Sequence, residues 1–333
     1  MAMSELRRAK EEHKEELLAK ENVVGVGLAE KRINGQPTGT MTVVALVRKK
    51  IPRAGLDPKE IVPSHVDGIP TDVIEVGDLK AHAARTDRWR PAPGGVSIGH
   101  YRITAGTLGC LVRDRETGAR LILSNNHVLA NGNDASIEDP ILQPGTADGG
   151  REENDTIAYL ERFVPIEYSL EPSTCGLASG LADVANLIAR LVGSKHRLQA
   201  IRANPEAVNR VDAALARPTD DSIVSDEILE IGRVAGTLAP SLGLAVRKSG
   251  RTTGLTTGEI TVIEATVDVG YDERLARFEG QMLTGPMSEP GDSGSLLVAA
   301  NSLQAVGLLF AGSTQTTIYN PIANVLSALA VTL

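Results

Sequence analysis

The sequence predicts a mostly β protein, preceded by a small α+β domain and interrupted by a helical insertion. Glycine and proline are frequent, at 33 and 17 residues, and short runs of Val, Leu, Ile and Thr recur between them. Short strands joined by turns have this composition. With 333 residues, the chain is long enough for two or three domains, one of which can bury a sizeable core.

The first 80 residues are predicted to form the small α+β domain. Helix formers dominate its start, with oppositely charged side chains four positions apart, which favours a charged surface helix. Residues 22–28, 41–47 and 73–76 have strand composition, and Asn34-Gly35 has the chemistry of a hairpin turn. No side chain of this domain stands out chemically. A regulatory role and a role in assembly are both left open for it.

The remaining chain is predicted to contain a linker and a larger β domain. Residues 81–103 carry several Arg, Pro and Gly without periodicity, which is typical of a linker. Within 104–333, strand-like runs predict two β units, a first barrel over about 104–220 and, over about 230–320, a second barrel or a sandwich. Apolar residues at helical spacing predict an amphipathic helix inserted at about 178–203.

Charge and cysteine content exclude several classes of function. The net charge of −8 argues against nucleic acid as the main partner. Cys110 and Cys175 lie in no zinc-binding spacing, so neither a metal nor a cofactor is predicted, and buried free thiols are favoured over a disulfide. No run is long enough to span a membrane, and the charged N-terminal segment lacks a signal-peptide core. A cytoplasmic location is therefore expected, without a membrane partner.

The chemistry centres on Glu289-Pro290-Gly291-Asp292-Ser293-Gly294-Ser295, which leads directly into an apolar strand. Glycines flank Ser293 across a tight turn, so its hydroxyl can be exposed while the N–H groups of Gly291 and Ser293 point to one side. Such a pair of donors can hold an oxyanion. The same residue types also form ordinary turns. A partner for the serine is needed to decide between these interpretations.

His127 is the candidate base and Asp212 the candidate acid. His127 follows a predicted strand at a strand-to-loop junction, where a rigid barrel can position a reactive side chain. Asp212 is an isolated carboxylate in an apolar segment and needs a hydrogen-bond partner if it is buried. A serine nucleophile needs a base, and that base needs an acceptor that fixes its tautomer.

Two other acids compete with Asp212. Asp155 is closer to the histidine in sequence, and Asp183 lies in a similar Asp-Val-Ala context. Asp183 falls in the predicted helical insertion, where an exposed charge needs no special role, and Asp155 lacks the Ala-Ala-Leu that follows Asp212. Asp212 is favoured, with Asp155 ahead of Asp183.

Three segments together resemble the catalytic motifs of the chymotrypsin/trypsin-like serine peptidases. They are Ser124-Asn125-Asn126-His127-Val128, Val211-Asp212-Ala213-Ala214-Leu215 and Gly291-Asp292-Ser293-Gly294-Ser295, in the order His, Asp, Ser. Residues 248–256 and the N-terminal domain resemble a mainly bacterial branch of this group that also includes the plant narrow-leaf protein. The resemblance covers nearly the whole chain, and it implies a two-barrel chymotrypsin-like protease domain.

The resemblance also implies roles for individual residues. Ser293 would be the nucleophile, His127 the general base and then acid, and Asp212 the residue that orients His127. The N–H groups of Gly291 and Ser293 would form the oxyanion hole. Asp292 is left as a turn carboxylate. The implied reaction is cleavage of peptide bonds in a protein or peptide substrate through an acyl-enzyme.

Specificity is implied by two further positions. Met287, six residues before the nucleophile, would lie at the base of the primary specificity pocket, where the acid typical of trypsin is absent. A simple preference for Lys or Arg is therefore not supported, and a small or medium apolar residue before the cut is expected. Phe310-Ala311-Gly312 resembles the segment that pairs with the substrate backbone. The alternative function is a protease-fold scaffold or regulatory binding protein, and a homo-oligomer is an open possibility.

Overall fold

The computed structural model describes residues 3–33, 36–77, 79, 84–103 and 105–333. The chain divides into two compact units, Met1–His82 and Ala83–Leu333. The Asn34-Gly35 turn and residues 81–83 of the predicted linker lie outside the described residues. Across the described ranges, no helix has both the length and the apolar character needed to cross a membrane.

The first unit combines one helix with a four-stranded sheet of order β1-β2-β4-β3. Its elements are α1 (Met3–Leu18), β1 (Val23–Ile33), β2 (Gln36–Val47), β3 (His65–Val66) and β4 (Ile69–Glu75). β1 and β2 are antiparallel, whereas β4 runs parallel to β2. Leu6 and Leu17 of α1 are fully buried and pack with Val43 of the sheet. The charged face predicted for α1 is therefore opposite a buried apolar face.

Strands are the most numerous elements of the second unit, which has four α-helices within its described residues. Its elements are β5 (Ala92–Gly94), β6 (Ser97–His100), β7 (Gly106–Thr107), β8 (Cys110–Asp114), β9 (Arg120–Ser124), α2 (Asn126–Leu129), β10 (Pro140–Leu142), α3 (Glu152–Asp155), β11 (Thr156–Phe163), β12 (Leu170–Pro172), α4 (Gly176–Leu191), β13 (Ile201–Ala203), β14 (Ala214–Pro218), β15 (Val224–Ile228), β16 (Gly232–Arg233), β17 (Ala245–Gly250), β18 (Gly254–Tyr271), β19 (Arg274–Thr284), β20 (Leu296–Ala299), β21 (Ala305–Gly312), β22 (Thr317–Pro321), α5 (Ile322–Ala328) and β23 (Val331–Thr332).

The first large sheet closes into a barrel. Its strand order is β23-β8-β9-β14-β11-β10-β6-β7, and β7 continues along the chain into β8. The Leu108 N–H donates to the Val96 carbonyl at 2.9 Å, while the Gly109 N–H donates to the Leu123 carbonyl at 3.0 Å. This stretch therefore bonds to the chain around β6 on one side and to β9 on the other, which leaves no open edge between them.

The second large sheet closes through one additional pairing. Its order is β13-β12-β19-β18-β17-β20-β21-β22, and β22 also pairs with β19, with Met282 opposite Tyr319. Strands β17 to β22 therefore form a closed ring around Val246, Ile260 and Leu297, which are buried. The predicted mostly β, two-barrel fold is confirmed by this strand pairing.

The expected linker is different in the structure. β5 and β6 both lie within residues 81–103, and Val96 and Ile98 are fully buried in the first barrel's core. Pro93 and Gly94 lie within β5 itself instead of forming a flexible connection. Two apolar residues in a Pro- and Gly-rich segment give no visible period, so the sequence pattern conceals these strands.

The helical insertion is present as α4. It was predicted within the first barrel, but its flanking strands pair with the second sheet. The flanking strands β12 and β13 pair with each other, and β12 pairs with β19 of the second sheet. The insertion therefore does not extend the first barrel's sheet. None of its side chains is buried, and Leu177, Leu181 and Leu191 are each at least 65% exposed.

One cluster of buried apolar side chains contains residues of both barrels. Leu123 and Leu215 of the first barrel pack in the same cluster as Leu296 and Leu308 of the second, together with Val325 of α5. At the same contact, a Cβ on Gly109 would lie 2.5 Å from the Gly294 carbonyl oxygen and 2.8 Å from that of Leu123. The backbones of the two barrels thus approach within a distance that excludes any side chain at position 109.

We expect Gly109→Ala to lower the free energy of unfolding of the second unit by about 1–3 kcal/mol, since overpacking forces the backbone to shift. Urea unfolding measures this value. Gly285→Ala is the matched control, because its Cβ would have no heavy atom within 4 Å. Equal stability of the Gly109 and Gly285 variants would contradict this account of the contact between the barrels.

Candidate active site

The ends of two adjacent strands bring His127 and Asp212 together. β9 pairs with β14, with Ser124 opposite Ala214, so the residues just beyond these positions lie side by side. The Nδ1 atom of His127 lies 2.6 Å from Oδ2 of Asp212, and the His127 backbone N–H donates to Oδ1 at 3.3 Å. Because a carboxylate only accepts, Nδ1 carries the proton of the neutral ring. Nε2 is left as the basic nitrogen.

Asp212 is fully buried and has further partners that the sequence does not reveal. The Tyr271 hydroxyl donates to Oδ2 at 2.8 Å. The Asp212 backbone N–H donates to Oδ1 of Asn320 at 3.0 Å, and Nδ2 of Asn125 donates to the Asp212 carbonyl at 2.7 Å. Burial and the neighbouring Asp212 charge raise the pKa of Tyr271 well above its ordinary value, so its hydroxyl remains a donor.

Thr107 connects the serine turn to the strand that leads to His127. Its N–H donates to the Ser293 carbonyl at 2.7 Å, and its hydroxyl donates to the Gly291 carbonyl at 2.9 Å. Its own carbonyl accepts from the Ser124 hydroxyl at 2.8 Å. The predicted nucleophile segment and base segment are therefore held against the same residue. Ser293 itself is half-buried.

The N–H groups of Gly291 and Ser293 are available to a ligand. Within the described part of the chain, neither group donates to a backbone or side-chain acceptor. Gly291 has a φ of +100°, and a Cβ there would lie 2.5 Å from the Thr252 hydroxyl oxygen. Only glycine tolerates both the positive φ and the close approach of the Thr252 hydroxyl at this position. Two free donors in one rigid turn can stabilise a developing negative charge.

Asp292 forms a buried ion pair, whereas the sequence analysis left it as a turn carboxylate. Its carboxylate is fully buried and lies 3.1 Å from Nζ of Lys248, which is also fully buried. It accepts from the N–H groups of Thr252 and Thr253 at 2.8 and 3.1 Å, and from that of Glu289 at 3.0 Å. The segment 248–256 singled out in the sequence therefore supplies the support of the serine turn.

The pKa of Asp292 reflects this environment. Burial alone would raise the pKa of Asp292. The positive charge of Lys248 and the donors from Thr253 and Glu289 outweigh that effect and hold the pKa of the carboxyl below its ordinary value. Asp292 is thus a charged anchor inside the second barrel.

The competing acids lie elsewhere. Asp155 accepts from Nε of Arg88 at 3.1 Å and from the Arg151 N–H at 3.0 Å. Asp183 is exposed on α4. Neither is hydrogen-bonded to His127. Asp212 is therefore the acid that the fold brings to the histidine.

A cavity of about 1500 Å³ opens beside His127. Tyr168, Tyr271 and Arg274 line it together with the three residues of the segment expected to pair with substrate, Phe310, Ala311 and Gly312. Met287 has a different position, since its side chain is 3% exposed and packs in the second barrel's core near Tyr319. Its side chain does not line the cavity, contrary to the expectation for a residue at the base of a pocket.

Other reactive groups are dispersed. No three His, Cys, Asp or Glu side chains are grouped for metal binding in the described ranges. Both cysteines are free thiols, with Cys110 buried and Cys175 exposed, so the expectation of buried thiols is wrong for Cys175. Burial raises the pKa of Cys110 to about 12, which makes it unreactive.

Comparison with known proteins relates the chain to bacterial serine peptidases. No protein-family model matches it. It is 40% identical over 96 residues to streptogrisin-A of Streptomyces griseus, and 37% identical over 93 residues to streptogrisin-D of the same organism. These matches cover 27% and 26% of the chain, and 31% and 22% of the two relatives. The chain thus spans less than a third of the length of either of these relatives.

Solved structures give weaker similarity over a longer stretch. The Nocardiopsis protease NAPase is 19% identical, with a TM-score of 0.46, over 73% of this chain and 98% of its own. The Cellulomonas bogoriensis chymotrypsin is 21% identical, with a TM-score of 0.44, over 73% of this chain and 97% of its own. The predicted resemblance to the chymotrypsin/trypsin-like serine peptidases is confirmed by the sequence matches.

We expect Lys248→Met to lower the free energy of unfolding by about 3–5 kcal/mol, because it leaves the Asp292 carboxylate buried without its countercharge. Chemical denaturation measures the loss. Lys195→Met, at an exposed position, is the control and should change stability by less than about 0.5 kcal/mol. A loss below about 1 kcal/mol in the Lys248 variant would contradict a stabilising role for the pair.

Asp292→Asn gives a pH-dependent test of the same pair. Because the pKa of Asp292 is lower in the folded than in the unfolded chain, its stabilisation is complete above about pH 4 and is lost as the pH falls further. The difference in free energy of unfolding between wild type and Asp292→Asn should therefore be large at pH 6 and shrink on acidification. Denaturant titrations at several pH values measure it. A difference that stays constant would oppose this assignment.

Proposed function

We propose that this chain is a serine endopeptidase of the chymotrypsin-like type, which uses Ser293, His127 and Asp212 as a catalytic triad. The observation that carries the proposal is the 2.6 Å contact between His127 and the buried Asp212, together with a serine turn that has two free N–H donors and is joined through Thr107 to the strand leading to His127. The ordered sequence motifs and the streptogrisin matches support the same reaction class.

Each group has one task in this proposal. Nε2 of His127 takes the proton from Ser293 as the hydroxyl oxygen attacks the peptide carbonyl, and it then gives the proton to the departing amine. The N–H groups of Gly291 and Ser293 stabilise the tetrahedral oxyanion. Asp212 holds the ring in the tautomer that leaves Nε2 free and stabilises the imidazolium. Water then replaces the amine and attacks the acyl carbonyl while Nε2 of His127 takes its proton; the proton passes to the Ser293 oxygen as the carboxylic acid product leaves.

The substrate would lie in the cavity beside His127. Phe310, Ala311 and Gly312 line it and belong to β21, a strand that can offer backbone groups to an extended peptide. No metal or organic cofactor takes part in the proposed steps.

A protease-fold scaffold is the second candidate. The observation favouring it is the apolar side of α4, which carries Leu177, Leu181 and Leu191 at 65% exposure or more. Large exposed apolar patches mark interaction surfaces. Assembly into a homo-oligomer is part of this alternative, and it is compatible with catalysis. A cytoplasmic location also remains a proposal, supported by the two free thiols.

We expect Ser293→Ala to abolish labelling by a fluorophosphonate probe and to lower the rate of peptide hydrolysis by about 10⁴-fold or more. Gel-based labelling and a peptide-library cleavage assay measure the two effects, with Ser241→Ala, at an exposed serine, as the control. Persistent labelling of Ser293→Ala would place the nucleophile elsewhere. A folded wild type that neither labels nor cleaves, with or without residues 1–82, would favour the scaffold.

A further inference from the structure

We propose that Tyr271 is a positioning residue for the His127–Asp212 pair, an inference that rests on the proposed peptidase function. Tyr271 lies at the tip of the long hairpin formed by β18 and β19, where it pairs with Arg274. This hairpin belongs to the second barrel, whereas His127 and Asp212 follow and precede strands of the first. The tip therefore brings a hydroxyl from one barrel to the buried acid of the other.

The hydroxyl completes the coordination of the carboxylate. Oδ2 of Asp212 accepts from Nδ1 of His127 at 2.6 Å and from the Tyr271 hydroxyl at 2.8 Å. Oδ1 accepts from the His127 backbone N–H at 3.3 Å. Without Tyr271, both remaining donors would come from His127 alone. Tyr271 thus holds the Asp212 carboxylate in place independently of the imidazole ring that the carboxylate orients. Because the tyrosine is neutral, it adds no positive charge to the site.

The tyrosine ring also restricts the imidazole directly. The ring centroids of Tyr271 and His127 are 5.7 Å apart, with an angle of 63° between the planes. This edge-to-face arrangement is a favourable geometry for two aromatic rings. A phenylalanine would keep this contact and remove only the hydroxyl. The substitution therefore separates hydrogen bonding from packing.

The hairpin tip is anchored to the loop that follows His127. Arg274 donates to the Gly132 carbonyl at 3.2 Å and to the Asp134 carboxylate at 3.0 Å. Its guanidinium lies 5.0 Å from the centroid of the Tyr168 ring, and the Tyr168 hydroxyl also donates to the Gly132 carbonyl, at 3.0 Å. These contacts hold the tip over the histidine. They make the position of Tyr271 dependent on Arg274.

Removal of the hydroxyl should affect turnover more than substrate binding. We expect Tyr271→Phe to lower kcat about 5- to 50-fold with little change in KM. The reason is that the Asp212 carboxylate, which orients His127, loses one hydrogen bond. The carboxylate that has lost a donor is more basic and stabilises the imidazolium more strongly. The acid limb of the pH profile of kcat/KM should therefore move to higher pH.

Besides His127, the charged and titratable side chains that line the cavity are Tyr101, Arg102, Asp134, Tyr168, Asp268, Tyr271, Asp272, Glu273 and Arg274. Tyr271→Phe changes none of their formal charges. A shift of the pH profile would therefore report the lost hydrogen bond. Tyr159→Phe is the control, since this tyrosine is 45% exposed on β11, and its kinetics should match those of the wild type.

Proton NMR gives a readout that does not require turnover. The proton shared by His127 Nδ1 and Asp212 should give a low-field imidazole resonance that moves in Tyr271→Phe and stays in place in Tyr159→Phe. Unchanged kcat, pH profile and resonance in Tyr271→Phe, with an active wild type, would overturn the inference and leave the proposed function intact. A moved resonance in a protein that cleaves nothing would support the positioning role and defeat the proposed function.

Arg274→Ala provides a second test if Tyr271→Phe does not fold. It keeps the tyrosine but releases the hairpin tip from Gly132 and Asp134. We expect kcat to fall and the low-field resonance to move or broaden in this variant. Wild-type kinetics together with an unchanged resonance would overturn the inference.

Discussion

The buried carboxylate of Asp212 is the constraint on which the candidate site depends. Removing an ion from water costs several kcal/mol, so every oxygen must find a donor. The structure supplies donors to its side chain from α2 and from the tip of the β18–β19 hairpin, while Asn320 of β22 fixes its backbone N–H. Elements of both barrels therefore have to be in place before this acid is stable, and the orientation of His127 follows from that requirement.

A second buried carboxylate, Asp292, stabilises the serine turn by different means. Its countercharge is the ammonium of Lys248, and its other donors come from residues 252 and 253 and from Glu289. All of these residues belong to the second barrel or its turns. The conformation of Gly291 and Ser293 therefore depends on that barrel, whereas the geometry of the histidine depends on contact between the barrels. The proposed nucleophile and the proposed base are thus supported by different sets of contacts, and Thr107 hydrogen-bonds to the segments that carry both.

Local patterns predicted much of this arrangement, and pairing over long distances accounts for what they missed. The two barrels and the approach of Asp212 to His127 followed from strand runs and the order of three motifs. β6 was missed because Val96 and Ile98 stand among Pro and Gly. Tyr271 was not singled out, because no sequence pattern links it to an acid 59 positions earlier. Lys248 lies within the 248–256 motif, but its burial depends on the folded barrel.

An aromatic row explains why the cavity differs from the expected specificity pocket. The ring of Phe310 packs on Phe278 with centroids 4.7 Å apart, and Phe278 lies 6.2 Å from Tyr271. Phe310 is only 3% exposed, because its ring packs in one buried cluster with Phe278, which in turn contacts the tyrosine bonded to Asp212. The side chains of Phe310 and Met287 are therefore both packed in the protein interior and are not available to contact a substrate. Under the proposed function, recognition of a peptide along this strand would fall to backbone groups and to the more exposed Ala311 and Gly312. The segment proposed to bind the peptide would then also pack, through Phe278, behind the tyrosine that contacts Asp212.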